Sequence, residues 1–296
     1  MKLDPNYVLA LLFGAASQLA SAAITEDFDG GGNTPWSLTN TNGSPPAVAA
    51  TGGASGNYVQ LTSLTSQNNN SIAFDEKLDQ TGPAPGGIRL AFDFRMSNDA
   101  ANTEAGGCCG SAADGLGVGL FPTSIYGATG GVNPTTLGQG SFAWERPAFN
   151  GAFTIGLDLF QNIDDLSVNF DGAEVAVAKL GGSIDLNDGK FHRAVVNIKP
   201  DGANVLVDVA LLLDINGAGA PQVSNVFTDL AVTGLDLANL PSYRLIAGGR
   251  TGAAYNEGGL DNFSVTTIPE PSSLAMFCMG MLILAARGRR GQASRR

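Results

Sequence analysis

The sequence is poor in the residues that most often carry metal or acid–base chemistry. It has one histidine and three cysteines in 296 residues, and only 15% of the chain is charged. Cys108 and Cys109 are adjacent and Cys278 lies in an apolar stretch, so neither a disulfide framework nor a zinc-ligand spacing is present. Gly-x-Ser-x-Gly, His-Glu-x-x-His and phosphate-loop motifs are also absent, which disfavours the common hydrolase and nucleotide-binding classes.

Glycine is abundant instead, with 40 residues. Because glycine costs about 1 kcal/mol relative to alanine inside a helix, this composition favours strands joined by turns over a helical bundle. The hydrophobic share of 44% is enough for a sizeable core. The net charge is −11 although arginines cluster at the C-terminal end, so the rest of the chain is strongly acidic. An acidic body disfavours nucleic acid as a partner and suits neutral glycans or divalent cations.

The chain between Thr25 and Thr267 has no sustained helical period. Short β-rich runs bounded by turn residues occur instead, and they are Tyr58 to Leu64, Ile88 to Met96, Leu116 to Phe121, Phe153 to Phe160 and Tyr243 to Ala247. Asp171-Gly172 and Asp201-Gly202 predict two tight hairpins, because Asp-Gly supplies the positive φ angles that such turns need. The stretch from Gly30 to Gly53 is predicted to be a long loop. Together these features predict one all-β domain, a sandwich or jelly roll.

The N-terminus has the pattern of a removable export signal. Lys2 precedes an apolar run from Val8 to Ala16, and the small residues Ala20-Ser21-Ala22-Ala23 follow. This order predicts a signal peptide over residues 1–23. The alternative is a first core helix, which the strand-like sequence from Ile24 onward disfavours.

The C-terminus has three features in order: Pro269-Glu270-Pro271, an apolar run from Leu274 to Ala286, and the cluster Arg287, Arg289 and Arg290. It resembles the PEP-CTERM sorting signal of Gram-negative bacteria. That resemblance implies processing by an exosortase near the Pro-Glu-Pro element, with residues 268–296 held transiently in the inner membrane by a transmembrane sorting helix. It also implies a final place at the cell surface or in an extracellular polysaccharide matrix (a biofilm). A permanent C-terminal anchor is the alternative.

Three segments of the remaining body, residues 24–267, follow the order found in legume-type (L-type) lectins. They are Ala113 to Pro122, which opens with Ala-Asp-Gly; Gly156 to Asn162, with Asp164-Asp165 after it; and Tyr243 to Gly252, followed by Leu260 to Val265. The resemblance covers roughly Phe28 to Thr266. It implies a concanavalin A-like jelly-roll sandwich of two antiparallel sheets.

The same resemblance implies a calcium ion. Its ligands would be Asp158, the Phe160 carbonyl, Asn162 and one of Asp164 or Asp165, all of them oxygen donors of the kind that calcium takes. The Glu that opens the lectin metal loop is Gly156 here, and no His follows the loop, so a second, transition-metal site is expected to be absent. Solvated turn residues on an acidic protein are the alternative interpretation of these acids.

By the resemblance, Asp114, the Gly115 backbone and Asn162 would contact a sugar, and the Ala113–Asp114 peptide would be cis. Trp36 and Trp144 are candidates for stacking on a sugar ring, and Trp144 is the better one; the alternative is that they are packed, as large aromatic residues more often are. Alternation along its strand predicts that His192 is a structural, half-buried residue.

Three functions compete at this point. The first is a carbohydrate-binding (lectin-like) role, and the second is a non-catalytic structural protein of the polysaccharide matrix without a sugar site. The third is a glycan-active hydrolase, which needs two carboxylates flanking one bond. The strand from Gly156 to Phe160 has a single acid, so the sequence predicts that the protein is not an enzyme.

Overall fold

Short strands bounded by glycine, asparagine and aspartate turns make up most of the molecule. A computed structural model describes residues 22–32, 34–78, 86–97, 114–133, 144–160, 164–182 and 184–268. The strands in chain order are β1 (Ala22–Glu26), β2 (Trp36–Asn42), β3 (Ala47–Ala49), β4 (Tyr58–Thr62), β5 (Asn69–Lys77), β6 (Gly87–Ser97), β7 (Gly115–Pro122), β8 (Phe153–Asp158), β9 (Asp165–Phe170), β10 (Ala173–Lys179), β11 (His192–Asp201), β12 (Asn204–Leu213), β13 (Gln222–Thr233), β14 (Tyr243–Arg250) and β15 (Glu257–Ile268). One helical turn, α1 (Thr123–Tyr126), follows β7, and a 3₁₀ helix spans Leu237–Ser242.

These strands form two antiparallel sheets. The first has the order β13-β12-β11-β6-β15-β4-β3, with β1 pairing along β15, and it is called the eight-stranded sheet. The second, the seven-stranded sheet, has the order β10-β9-β8-β7-β14-β5-β2. Neighbours in space are often distant in sequence, as in a jelly roll. The predicted two-sheet antiparallel sandwich is therefore confirmed.

Both predicted hairpins are present. Asp171 and Gly172 join β9 to β10 with φ angles of 49° and 79°, and Gly202, with a φ of 63°, joins β11 to β12. The long loop predicted from Gly30 to Gly53 is wrong, because β2 and β3 lie within it. The Thr, Asn and Ser residues of β2 give little apolar alternation, and β2 is the last strand of its sheet and only partly buried.

The core lies between the two sheets and follows the two-residue period of the strands. On β7, Leu116, Val118 and Leu120 face this core, and on β8 Ile155 and Leu157 do so. Each such side chain, when fully buried, stabilises the fold by roughly 1.5–3 kcal/mol. The intervening residues of these strands consequently point to the outer face of the seven-stranded sheet.

A second, smaller apolar cluster covers part of that outer face. Its members come from strand positions that point away from the main core and from the segments after β7 and before β8; they are Ala73, Phe121, Tyr126, Val132, Trp144, Phe149, Ala152 and Ile246. Arg244 is fully buried beside it and donates hydrogen bonds to the carbonyl oxygens of Tyr126 (2.9 Å) and Gly130 (3.1 Å). The seven-stranded sheet is thus packed on both faces.

The first and last strands of the described chain lie side by side, because Ala22 of β1 pairs with Thr266 of β15. The predicted signal peptide lies outside the described residues apart from Ala22 and Ala23, and so does the predicted sorting segment apart from Ile268. Within the residues that the structure describes, no helix is long and apolar enough to cross a membrane. The domain boundaries at residues 23 and 267 stay predictions.

Candidate functional site

Glycines leave a strip of the outer face of the seven-stranded sheet without side chains. A Cβ added to Gly117 would overlap the Trp144 carbonyl, and one added to Gly156 would lie 2.6 Å from the Pro147 ring. Such approaches are far closer than van der Waals contact allows. The segment 144–149, called here the covering segment, can lie directly on the strands because these positions have no side chain. Thr154 also donates a 2.5 Å hydrogen bond to the Pro147 carbonyl.

Trp144 is the anchor of the covering segment, and its predicted role in stacking on sugars is wrong. Its side chain is fully buried, with its indole directly above Gly248. The indole packs at 5.2 Å between ring centroids from Phe149 and at 6.2 Å from Phe121. Because Gly248 has no side chain, the Trp144 ring can lie directly on the strand, where it is covered by protein.

Arg146, in the covering segment, lies against two of the predicted metal ligands, Asp158 and Asp165. Asp158 and Asp165 are directly opposite each other in the register of β8 and β9. Arg146 donates from Nε to Asp158 Oδ2 (2.8 Å) and from Nη2 to Asp165 Oδ2 (2.7 Å). Its Nη1 donates to Glu174 Oε2 of β10 at 3.2 Å. Burial lowers the pKa of Arg146, but the three carboxylates outweigh that effect and raise it.

Asp158 is also held from its own loop. Its Oδ1 accepts a 2.8 Å hydrogen bond from the backbone N–H of Phe160. Burial raises the pKa of Asp158, and the Phe160 amide and Arg146 offset part of that rise. Phe160 itself is exposed, whereas Asn162 lies outside the described residues. In the described part of the chain, no group of three His, Cys, Asp or Glu side chains is arranged to hold a metal ion.

Asp114 lies at the same edge of the sheet, immediately before β7. Its backbone N–H donates to the Arg250 carbonyl (3.2 Å), and its carbonyl accepts from the Leu159 N–H (2.8 Å). Gly252, in the Thr-Gly loop after β14, adjoins the Asp114 carboxylate, so a Cβ added there would lie 3.2 Å from Oδ2. The three segments that resemble lectin motifs therefore converge here. Gly115 follows within the ladder, buried between β8 and β14.

Glu145 adds a second buried acid beside Asp114. Its Oε1 accepts from Arg250 Nη1 at 3.1 Å, and Arg250 Nε lies 3.5 Å from Asp114 Oδ2. Burial, together with the negative charge of Asp114, raises the pKa of Glu145 to about 8. Burial also raises the pKa of Asp114, while Arg250 opposes the rise. At neutral pH Glu145 is therefore largely protonated and can donate as well as accept.

Three buried carboxylate oxygens at this edge have no hydrogen-bond partner among the described residues: Asp114 Oδ2, Glu145 Oε2 and Asp165 Oδ1. A buried acceptor without a donor costs about 1–3 kcal/mol, so three such oxygens at one place mark this edge as a candidate polar site, although each oxygen is itself buried. Sugar hydroxyls are among the donors from which carboxylates accept. Asp114, Glu145, Arg146, Asp158, Asp165, Glu174 and Arg250 are called the acidic edge below.

Sequence reasoning found Asp114, Asp158 and Asp165 but missed Glu145, Arg146 and Arg250. The available signal was the run of glycines at alternate positions of β7, because a strand face without side chains indicates that another segment lies on it. The Ala113–Asp114 peptide and the Cys108–Cys109 pair lie outside the described residues.

His192 belongs to a different place, at the end of β11. It is 1% exposed, its Nδ1 accepts from the Asp214 N–H and its Nε2 lies 3.0 Å from Asp188 Oδ1. The ring is fully rather than half buried, and the structural role predicted for it stays a prediction.

Comparison with solved structures defines the class of this fold. Peanut lectin with a 9mer peptide superposes with a TM-score of 0.52 at 15% identity, over 84% of this chain and 97% of that one. Winged bean acidic lectin complexed with methyl-α-D-galactose gives 0.51 at 15% identity, over 84% and 98%. The lectin from Bauhinia forficata in complex with GalNAc gives 0.50 at 13%, over 84% and 99%. The described domain therefore has the legume-lectin fold.

The C-terminal end gives the second half of the identification. Residues 267–290 match the PEP-CTERM protein-sorting motif. No curated protein sequence matches the chain. The protein is thus an exported protein with a lectin-like fold and a PEP-CTERM sorting signal.

Proposed function

We propose that this protein is an exosortase-processed component of the cell surface or extracellular polysaccharide matrix that binds glycans at the acidic edge. The observation that carries the proposal is the convergence of Asp114, Asp158 and Gly252 at one edge of the sheet, next to three unpartnered carboxylate oxygens. Asp114 and Asn162, with the Gly115 backbone, are the proposed sugar contacts. Pro269, Glu270 and Pro271 are the proposed processing element, and the inner membrane holds the tail until it is cut.

The charge of the acidic edge narrows the glycan class. Its carboxylates outnumber its two arginines within the described chain, so an anionic polysaccharide would be repelled. Neutral sugars, whose hydroxyls donate to carboxylates, are the expected ligands. The same charge disfavours nucleic acid as a partner.

The calcium ion implied by the resemblance stays a prediction. Its ligands would be Asp158, the Phe160 carbonyl, Asn162 and Asp165, and those two carboxylates are paired with Arg146. A glycan screen with calcium and again with a chelator tests that requirement directly.

The test is a glycan array probed with the purified full chain. Binding to neutral glycans is expected, and Asp114→Ala should weaken it by at least about tenfold, since a lost charged hydrogen bond is worth about 1.5–3 kcal/mol. Asn162→Ala tests the other proposed contact. Asp201→Ala, at the exposed end of β11, is the matched control and should bind as the unaltered chain does.

A folded chain that binds no glycan in either condition would reject the lectin role. The structural matrix protein would then be the better description, because it needs the sandwich and the sorting signal but no sugar site. Release of reducing ends from a polysaccharide would instead support the hydrolase.

A further inference from the structure

The donors that a lectin metal loop would offer to calcium do not fit the ion as this chain is folded. Calcium takes six to eight oxygens at about 2.3–2.6 Å, and carboxylates supply most of the charge. Here Asp158 uses one oxygen for the Phe160 N–H and the other for Arg146 Nε. Asp165 Oδ2 accepts from Nη2 of the same guanidinium. The space between the two facing carboxylates is thus occupied by a cation that belongs to the chain.

The position of this guanidinium is fixed by the backbone beneath it. The covering segment lies on β8 at Gly156, where a Cβ would overlap the Glu145 carbonyl and lie 2.6 Å from both Pro147 Cδ and Ser167 Oγ. Gly156 is the position at which the lectin motif has its leading Glu. A Glu side chain cannot be accommodated there while the covering segment is in place. The glycine at position 156 and the arginine at position 146 are therefore two parts of one arrangement.

The buried side chain of Trp144 fixes the backbone position of Arg146. Two residues before the arginine, its fully buried indole fills the volume above Gly248 and packs on Phe149. Thr154 holds the Pro147 carbonyl one residue after it. Arg146 is therefore anchored on both sides, and its planar fork reaches three strands at once.

We infer that Arg146 replaces the calcium ion of the lectin fold, so that the end of β8 and the start of β9 are held together by a guanidinium and need no metal. An arginine can do this because its five donors bind several carboxylates in fixed directions and it stays charged at any physiological pH. A metal ion would do the same work by direct coordination. Arg146 is a positioning residue in this role, since it acts on Asp158 and Asp165 rather than on a ligand.

The first test needs no substitution. The full chain is dialysed against calcium, passed through a desalting column and analysed for bound metal, and its thermal unfolding is followed in calcium and in EDTA. We expect no stoichiometric calcium and the same melting temperature in both conditions. One calcium per chain, or a melting temperature that rises by about 5 °C in calcium at a hundredfold excess over the dissociation constant, would overturn the inference.

The second test removes the resident cation. Arg146→Ala leaves Asp158, Asp165 and Glu174 facing one another, so this variant should melt lower in EDTA and recover by about 5 °C on addition of calcium. Arg146→Lys retains the charge without the fork and should show a smaller response. A folded Arg146→Ala variant that ignores calcium would also overturn the inference; if that variant does not fold, the metal analysis of the unaltered chain still decides.

Arg95→Ala is the matched control. Arg95 pairs with a single carboxylate, that of Glu257, on the eight-stranded sheet, so its removal exposes no pair of facing acids. Calcium should not change the melting temperature of this variant. Neither metal content nor thermal unfolding involves a glycan, so failure of glycan binding would reject the proposed function and leave the role of Arg146 unaffected.

Discussion

The two outer faces of the sandwich both carry buried charges but treat them differently. On the eight-stranded sheet, Asp93 accepts from Arg193 and from Asn262, and Asp261 accepts from the backbone N–H groups of Ala54, Ser55 and Asn262. All four of those carboxylate oxygens have donors. On the acidic edge of the seven-stranded sheet, three buried carboxylate oxygens have no hydrogen bond within the described chain, although Arg250 Nε lies 3.5 Å from one of them, Asp114 Oδ2.

The difference separates structural charge from charge that is available to a ligand. A buried carboxylate with every oxygen bonded is part of the scaffold, and removing its partner leaves an uncompensated charge. A buried carboxylate with a free oxygen already carries part of that energetic cost, which a ligand can relieve. Asp93 and Asp261 therefore have no carboxylate oxygen left without a donor, whereas the acidic edge has three.

The largest expected effect is that of a substitution on the eight-stranded sheet. Arg193→Ala should lower the free energy of unfolding by about 3 kcal/mol, because Asp93 is fully buried and loses both bonds of a bidentate pair, at 2.5 and 2.8 Å. Urea denaturation measures the change. Lys199→Ala on the same strand is the control, since its partners Asp208 and Asp229 are more exposed and the pair is worth less than about 1 kcal/mol. Equal losses in the two variants would remove the distinction between the faces.

A second experiment tests the cover of the seven-stranded sheet. Gly248→Val should lower the free energy of unfolding by about 2 kcal/mol, because the new side chain must displace the buried Trp144 indole. Gly219→Val is the control: no atom lies within 4 Å of the Cβ it would add. Thermal or urea unfolding compares the two. A neutral Gly248→Val would mean that Trp144 does not sit on the strand.

A pH dependence of stability is the third expected effect, and it is the smallest for a change of a single pH unit. Burial raises the pKa of Glu145 from 4.5 to about 8, so between these values the folded chain holds a proton that the unfolded chain releases. The free energy of unfolding should then fall as the pH rises through that range, by about 1 kcal/mol per pH unit. Asp261, with a pKa raised to about 6 chiefly by burial, contributes in the same sense only below about pH 6.

Glu145→Gln separates the two acids. Between pH 6 and 8 the fall in stability should largely disappear in this variant, while the fall below pH 6 remains. Urea denaturation at four pH values measures both parts. If the free energy of unfolding of this variant still falls with the full slope above pH 6, another group titrates there. Glu145 would then not be the protonated donor of the acidic edge.

The sequence reveals one face of each strand better than the other. The inner face of β7 could be predicted from the alternation of Leu116, Val118 and Leu120, and a hairpin could be predicted from Asp171-Gly172. Both signals are local in the sequence. The covering segment has no period of its own. Its position depends on glycines in β7, β8 and β14, which become neighbours only after the sheet has formed.

The same reasoning explains the errors at the site. Asp114, Asp158 and Asp165 could be named because their spacing follows a motif, but their partner could not. Arg146 is 12 residues before Asp158 and 19 before Asp165, and no local pattern joins them. Trp144 was misjudged because an indole beside charged residues resembles an exposed one until the missing Cβ of Gly248 is placed beneath it.

The pairing of the first and last strands sets how the domain would be presented on a tether. β15 begins near the acidic edge, where Gly258 and Leu116 are close neighbours, and runs for 12 residues to Ile268. At about 3.3 Å per residue, that length is close to 40 Å. The leader side, through Ala22, and the tail side both leave from the far pole. The acidic edge therefore lies at one end of β15, and Ala22 and Ile268 lie toward the other.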